Sequence, residues 1–193
     1  MSTSSLTGSQ TVGPFFAPAL LRADARRNVL VRPETAGERI RIEGRVLDGD
    51  GAAVPDALIE IWQANAAGRY NHPADTGAAP VDPFFLGYGR SGTGEDGHYW
   101  FETIRPGPVP FAGEQMQAPH ICVTVFARGL LNHAVTRLYF ADEQANAVDP
   151  VLQCVPAERR GTLFARREPG AVPIFYRFDI VLQGVNETVF FNL

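Results

Sequence analysis

Lysine is missing from this 193-residue sequence: all 17 basic residues are arginine. That absence says little by itself, but an arginine placed in a cleft can grip a planar anion with a fork that lysine lacks. The acidic residues outnumber the basic ones, and the net charge of −4 argues against a nucleic-acid surface. No run approaches the roughly 18 apolar residues that a membrane span requires. The opening "MSTSSLTGSQ" has neither the basic nor the apolar region of a signal peptide, so a cytoplasmic location is expected. Cysteine is scarce: Cys122 and Cys154 stand in dissimilar contexts without a pairing motif, which favours free thiols over a disulfide.

What is present reads as a folded chain, 45% hydrophobic and 20% charged. Residues 1 to 38 carry no clean period and hold one compact cluster, "SQTVGPFF", which suggests an N-terminal arm with an anchoring element. From Arg39 the pattern becomes alternating. "RIRIEGRVL" puts Ile40, Ile42 and Val46 on one side and charges on the other, as in a half-buried strand. "LIEIWQ" follows a turn rich in Asp and Gly.

Further strands are expected in "HYWFETI", "HICVTVFA", "VTRLYF", "FYRFDIVLQ" and "ETVFFNL". The resulting class is all-β, an antiparallel sandwich over residues 39 to 193 with at most one or two short helices, one of them placed in "PAERRGTLFARRE". Two long connections, residues 64 to 97 and 105 to 119, are rich in Gly, Pro and aromatics. Loops of that length in a compact domain are usually functional.

Several motifs are open to more than one meaning. His120 and Cys122 in "QAPHICV" share a strand face, but two ligands fall short of the three or four that a zinc site needs. His72, His98 and His133 form no spacing with them, and no G-x-S-x-G elbow supports a serine nucleophile. Arg128 in "VFARGLL" is either a solvated strand terminus or a placed anion contact. "SQTVGPFF" is either an ordinary Gly-Pro turn or a backbone element brought close to a ligand.

Taken in order, "LIEIWQANAAGRY", "RPGPVP", "APHICVTVFARG", "TRLYF" and "YRFDIVLQG" resemble the intradiol ring-cleavage dioxygenases from about Ser9 to the C-terminus. Within that family the resemblance is to the alpha-type chain of its heteromeric members. It implies a β-sandwich core and, in the iron-binding chains, a non-haem ferric ion held by two tyrosines and a His-x-His pair. Carried across, those four positions fall on Tyr70, Val109, His120 and Cys122. Valine has no donor atom, and a soft thiol suits ferric iron poorly, so these positions are expected to be vestigial and the chain to hold no metal.

The resemblance also implies Gln117 where an iron-binding chain has arginine, and Arg137 where it has glutamine. A guanidinium there opposes a cation unless a carboxylate neutralises it. Arg137 is expected to occupy that space and to pair with an acidic residue, with Glu60, Glu102 and Asp179 as candidates.

The implied role is that of a non-iron subunit, catalytic only beside a homologous beta chain that carries Fe(III). Thr11, Gly13, Pro14 and Arg128 would line that partner's pocket. The implied substrate is 3,4-dihydroxybenzoate (protocatechuate), cleaved with O2 in aromatic catabolism. Its carboxylate would meet Arg128 and Thr11, while Gly13 and Pro14 allow the backbone to approach the ring.

Overall fold

A computed structural model of the chain describes residues 11–13, 19–22 and 27–192. Eleven strands run in chain order as β1 (Arg39–Leu47), β2 (Leu58–Trp62), β3 (Tyr88–Gly92), β4 (His98–Ile104), β5 (Val109–Pro110), β6 (Met116–Gln117), β7 (His120–Phe126), β8 (Ala134–Phe140), β9 (Phe164–Arg167), β10 (Ile174–Arg177) and β11 (Ile180–Val181). Three short 3-10 helices, Gln144–Val148, Leu152–Cys154 and Arg160–Leu163, lie between β8 and β9. The class is all-β.

The main sheet runs β11-β1-β10-β9-β8-β7-β2-β3, with β4 pairing β1 off this path. It folds back on itself, so both halves contribute to one core. Ile40, Ile42 and Val46 of β1 and Phe101 of β4 join Ile59 and Ile61 of β2, Ile121, Val123 and Val125 of β7, and Leu138 and Phe140 of β8. These are the inward positions of a period-2 alternation, which is why β1 reads buried at every second residue along most of its length. Removing such side chains from water is the main drive to close the sheet.

The pairing departs from a purely antiparallel scheme. β1 runs parallel to β10 and β11, and β8 runs parallel to β9. The stretch "FYRFDIVLQ" breaks at Phe178 and Asp179 into two short strands, because Phe178 turns inward there and its N–H bonds the Glu43 carbonyl at 2.8 Å. In "PAERRGTLFARRE" only Arg160–Leu163 coils, and the following Phe164–Arg167 is extended. "ETVFFNL" forms no regular strand among the described residues; only Phe191 bridges, to Val135. Neither long connection is wholly loop, since β3 lies in the first and the β5–β6 hairpin in the second. β3, "YGRSG", escapes a hydrophobic pattern because its inward residues are Gly89 and Ser91.

Residues 27 to 30 run along the body of the domain. Arg27 bridges Arg90, Val29 bridges Glu102, and the Asn28 amide donates to Ser91 Oγ at 2.8 Å. Leu30 reaches the core.

Gly44 sits at an inward position of β1 opposite the break between β10 and β11. A Cβ there would lie 1.7 Å from the Phe178 carbonyl oxygen, which already accepts a 2.6 Å bond from the buried Tyr99 hydroxyl. Substitution Gly44→Ala therefore has to displace backbone and is expected to cost at least about 3 kcal/mol. Denaturant unfolding beside an Arg45→Ala control checks this; equal midpoints for the two variants would contradict the close approach.

Candidate functional site

Two groups of residues carry chemistry on this scaffold. The first is built on the outer face of the β3-β2-β7-β8 half of the sheet. Register pairs Tyr88 with Trp62, Trp62 with Cys122, and Cys122 with Arg137. Cross-strand partners share a face, so these four side chains form one row. Two residue pairs further along, on the same face, His120 is opposite Tyr139.

The loops complete this row. Ala67 and Arg69 backbone N–H groups donate to the Asn65 side chain, and the Tyr70 N–H donates to Asp75 Oδ2 at 2.8 Å. That places the Tyr70 ring in a stack on Trp62, with centroids 5.7 Å apart. The Gly107 N–H donates to the Asn65 carbonyl at 2.9 Å, and a Cβ on Gly68 (φ 78°) would strike the Pro108 carbonyl. The "AGRY" and "PGP" segments are thus held in contact, with glycine required at the crossing. Val109 follows, buried in the β5–β6 hairpin opposite Gln117.

Arg137 ties these parts together. Its Nη1 donates to Gln117 Oε1 at 2.7 Å and to the Tyr139 hydroxyl at 3.3 Å. Gln117 in turn donates to the Pro110 carbonyl at 3.1 Å. The Tyr139 hydroxyl donates to Asp149 Oδ1 at 3.1 Å, and Asp149, fully buried, also accepts from the Ala118, Val151 and Leu152 N–H groups.

The expected carboxylate partner of Arg137 is therefore not found. Glu60 is taken by Tyr88 and Arg90, Glu102 by Arg41, and Asp179 by the Arg45 N–H. Among the described residues no carboxylate forms an ion pair with Arg137, whose counter-charge, Asp149, acts through the Tyr139 hydroxyl. Tyr139 and Asp149 went unnoticed in the sequence, although Tyr139 lies at i+2 from Arg137 and must share its face.

Charges are shaped by this arrangement. Burial pushes His120 down to about 4, and the Arg137 charge adds to that shift. A neutral ring whose Nδ1–H donates to the Ala118 carbonyl at 2.8 Å follows. Burial raises the Tyr70 hydroxyl well above its usual range and raises the Cys122 thiol, with Arg137 opposing in both cases. Burial alone would lower Arg137, but its bond to Tyr139 and the surrounding negative groups outweigh that and keep it firmly charged.

These residues do not fit a ferric ion. Val109 offers no donor, Cys122 is a protonated soft ligand, and a fixed cation faces Cys122 across the strand pair. Among the described residues no group of three or more His, Cys, Asp or Glu side chains is placed to hold a metal.

The second group gathers Thr11 and Arg128. The Gly129 N–H donates to Thr11 Oγ1 at 3.2 Å, so the N-terminal segment lies beside the end of β7. Arg128 is 68% exposed and its Nη2 lies 3.5 Å from Asp56 Oδ2. Asp56 adopts φ 60°, a left-handed turn position that aspartate tolerates. Gly13 is exposed with open space around its Cα, and Pro14 lies outside the described residues. Both cysteines are free thiols, and no helix among the described residues is long and apolar enough to cross a membrane.

The family model described as Dioxygenase matches residues 12–184. The chain is 45% identical to the protocatechuate 3,4-dioxygenase alpha chain of Burkholderia cepacia, over the whole of both chains. It is 39% identical to the beta chain from the same organism, covering 94% of this chain and 77% of that one.

Among solved structures, the dioxygenase domain of a carbohydrate-binding fusion protein from Streptomyces sp. SirexAA-E superimposes with TM-score 0.63 at 27% identity, covering 94% of this chain and all of that one. The 3-chlorocatechol 1,2-dioxygenase of Rhodococcus opacus 1CP shares the fold, with TM-score 0.64 at 23% identity over 79% of this chain and 63% of that one.

Histidine 120 supplies a pH test. Its folded value of about 4 lies below the ordinary 6.5. Between those values the unfolded chain binds a proton that the folded chain does not, so stability falls as pH drops through this window, by up to about 3 kcal/mol. Unfolding measured from pH 7 to pH 5 should show that slope in the wild type and lose most of it in His120→Gln. An unchanged slope would mean that His120 is not the group responsible.

Proposed function

The chain belongs to the intradiol dioxygenase family, and we propose that it is the non-iron alpha subunit of a heteromeric enzyme that cleaves 3,4-dihydroxybenzoate with O2 to 3-carboxy-cis,cis-muconate. The observation that carries this reading is the row on the outer sheet face. The positions at which the family's iron chains place donors hold Val109 and Cys122 here, and Arg137 brings a positive charge beside them. A family member so altered needs a homologous chain to bring Fe(III), and the similarity to both alpha and beta chains supports such a pairing.

This chain's contribution lies in the second group. The arm, residues 1–38, contacts the partner, and Thr11, Gly13, Pro14 and Arg128 complete the partner's pocket. Arg128 presents a guanidinium at the end of a strand, and among the described residues only an exposed aspartate, Asp56, competes for it. Exposed ion pairs of this kind are worth little, so the substrate carboxylate can take over the guanidinium at small cost. In a pocket closed by the partner the same contact is partly desolvated and correspondingly stronger. Thr11, fixed against Gly129, adds a hydroxyl donor, and the small Gly13 leaves room for the ring.

The Arg128–Asp56 pair also suits a purely structural reading, in which this corner serves assembly alone. Kinetics of the assembled enzyme separate the two. Arg128→Ala should raise KM for 3,4-dihydroxybenzoate by about tenfold or more with little change in kcat, and leave KM for plain catechol unmoved. An unchanged KM with weakened assembly would favour the structural role. Metal content is the companion measurement: the chain prepared alone should be colourless and free of iron. One iron per chain, with turnover in the absence of a partner, would overturn the proposal.

A further inference from the structure

Arg137 is left with donors to spare, and that raises the question of what they bind. Only Nη1 is engaged; Nε and Nη2 have no acceptor among the described residues. Yet the side chain is only partly exposed, and a half-buried guanidinium without a direct counter-ion is costly unless something satisfies it. Its nearest counter-charge, Asp149, is enclosed behind the Tyr139 hydroxyl and already accepts three backbone N–H groups, so it cannot turn toward the free donors.

The neighbours along the row are uncharged and largely flat. Cys122 is the cross-strand partner, Trp62 lies beyond it, and Tyr70 stacks on Trp62. Trp62, Tyr70, Cys122 and Arg137 are all partly accessible, so the row forms a surface that a ligand can reach.

From this geometry we propose that the Arg137 row is a binding site for a small monocarboxylate, held by the free guanidinium donors and resting its apolar part on Cys122 and the Trp62–Tyr70 stack. The fork of Nε and Nη2 matches the two oxygens of a carboxylate, which gives a bidentate contact. Phenyl or short alkyl carboxylates fit this description, because an aromatic stack offers area without charge. The site uses no residue of the Thr11 and Arg128 group, so it stands whether or not the proposed role of that group holds.

Cys122 makes the site testable from within. Iodoacetate is itself a small monocarboxylate, and the neutral iodoacetamide is its uncharged counterpart. Either alkylates a thiol by forming an S–C bond as iodide leaves and the thiol proton passes to solvent. The exposed Cys154 of the same chain provides the reference.

In the assembled enzyme, peptide mass spectrometry should show an iodoacetate-to-iodoacetamide rate ratio on the order of tenfold higher at Cys122 than at Cys154. Arg137→Met should bring the two ratios to within about twofold of each other. Benzoate should protect Cys122 from iodoacetamide in the wild type, which keeps the proposal testable if the variant fails to fold. Equal ratios at both cysteines, a high ratio that survives Arg137→Met, absence of benzoate protection, or a Cys122 that resists both reagents would each overturn it.

Discussion

A half-buried guanidinium on the outer face of β8 is the constraint around which this half of the molecule is arranged. Arg137 is costly to hold there, and the partners of its Nη1 reach into three separate segments. Through Gln117 and Pro110 it fixes the β5–β6 hairpin, which carries Val109. Through Tyr139 and Asp149 it fixes the turn that leads into the Leu152–Cys154 helix, and the same Asp149 holds the Ala118 N–H. Ala118 then accepts the His120 Nδ1–H, which returns the network to β7 beside Cys122. Burial lowers the affinity of His120 for a proton, the cation adds to that shift, and the same charge makes the space unfavourable for a metal ion. The positive charge placed there is held directly by two uncharged partners, Gln117 and the Tyr139 hydroxyl.

Much of the fold was legible because burial on a sheet has a period of two. "RIRIEGRVL" and "HICVTVFA" show the alternation, and both form strands with Ile40, Ile42, Ile121, Val123 and Val125 inward. What escaped has a physical reason in each case. β3 buries Gly89 and Ser91, which no hydrophobic scale registers, because Leu30 and Ile61 already fill the space above Gly89. The parallel pairings of β1 with β10 and β11 join residues more than a hundred positions apart, and nothing local in the sequence encodes such a register.

The site was legible in part. The positions of Tyr70, Val109, His120 and Cys122 followed from ordered motifs, and the structure brings these segments together through the Asn65 contact with Gly107 and the strand register. The partner of Arg137 was not legible, since a buried cation in a sequence points to a carboxylate in direct contact. The structure instead uses a tyrosine hydroxyl as an intermediary, and Asp149 lies in a turn that carries no strand pattern. A direct pair would have neutralised Arg137 and closed its donors. The relay leaves the charge balanced at a distance, while Nε and Nη2 have no acceptor among the described residues.

That difference bears on how a sheet face can carry a charge and still stay open to solvent. Filling this face with an apolar plug would call for large side chains at several positions at once, because a cavity left unfilled costs stability. A single long cation instead spans the row and is bonded through Nη1 to residues on adjoining elements, Tyr139 at i+2 and Gln117 at the hairpin. The cost is a charge that must remain near solvent. Consequently the row Tyr88–Trp62–Cys122–Arg137 is not sealed into the core the way His120 and Tyr139 are, although the same strands carry them. Cys122 is partly accessible and His120, two residues away on the same strand, is buried: Tyr139 opposite His120 packs with Leu152 and Leu163, whereas Arg137 opposite Cys122 stays near solvent.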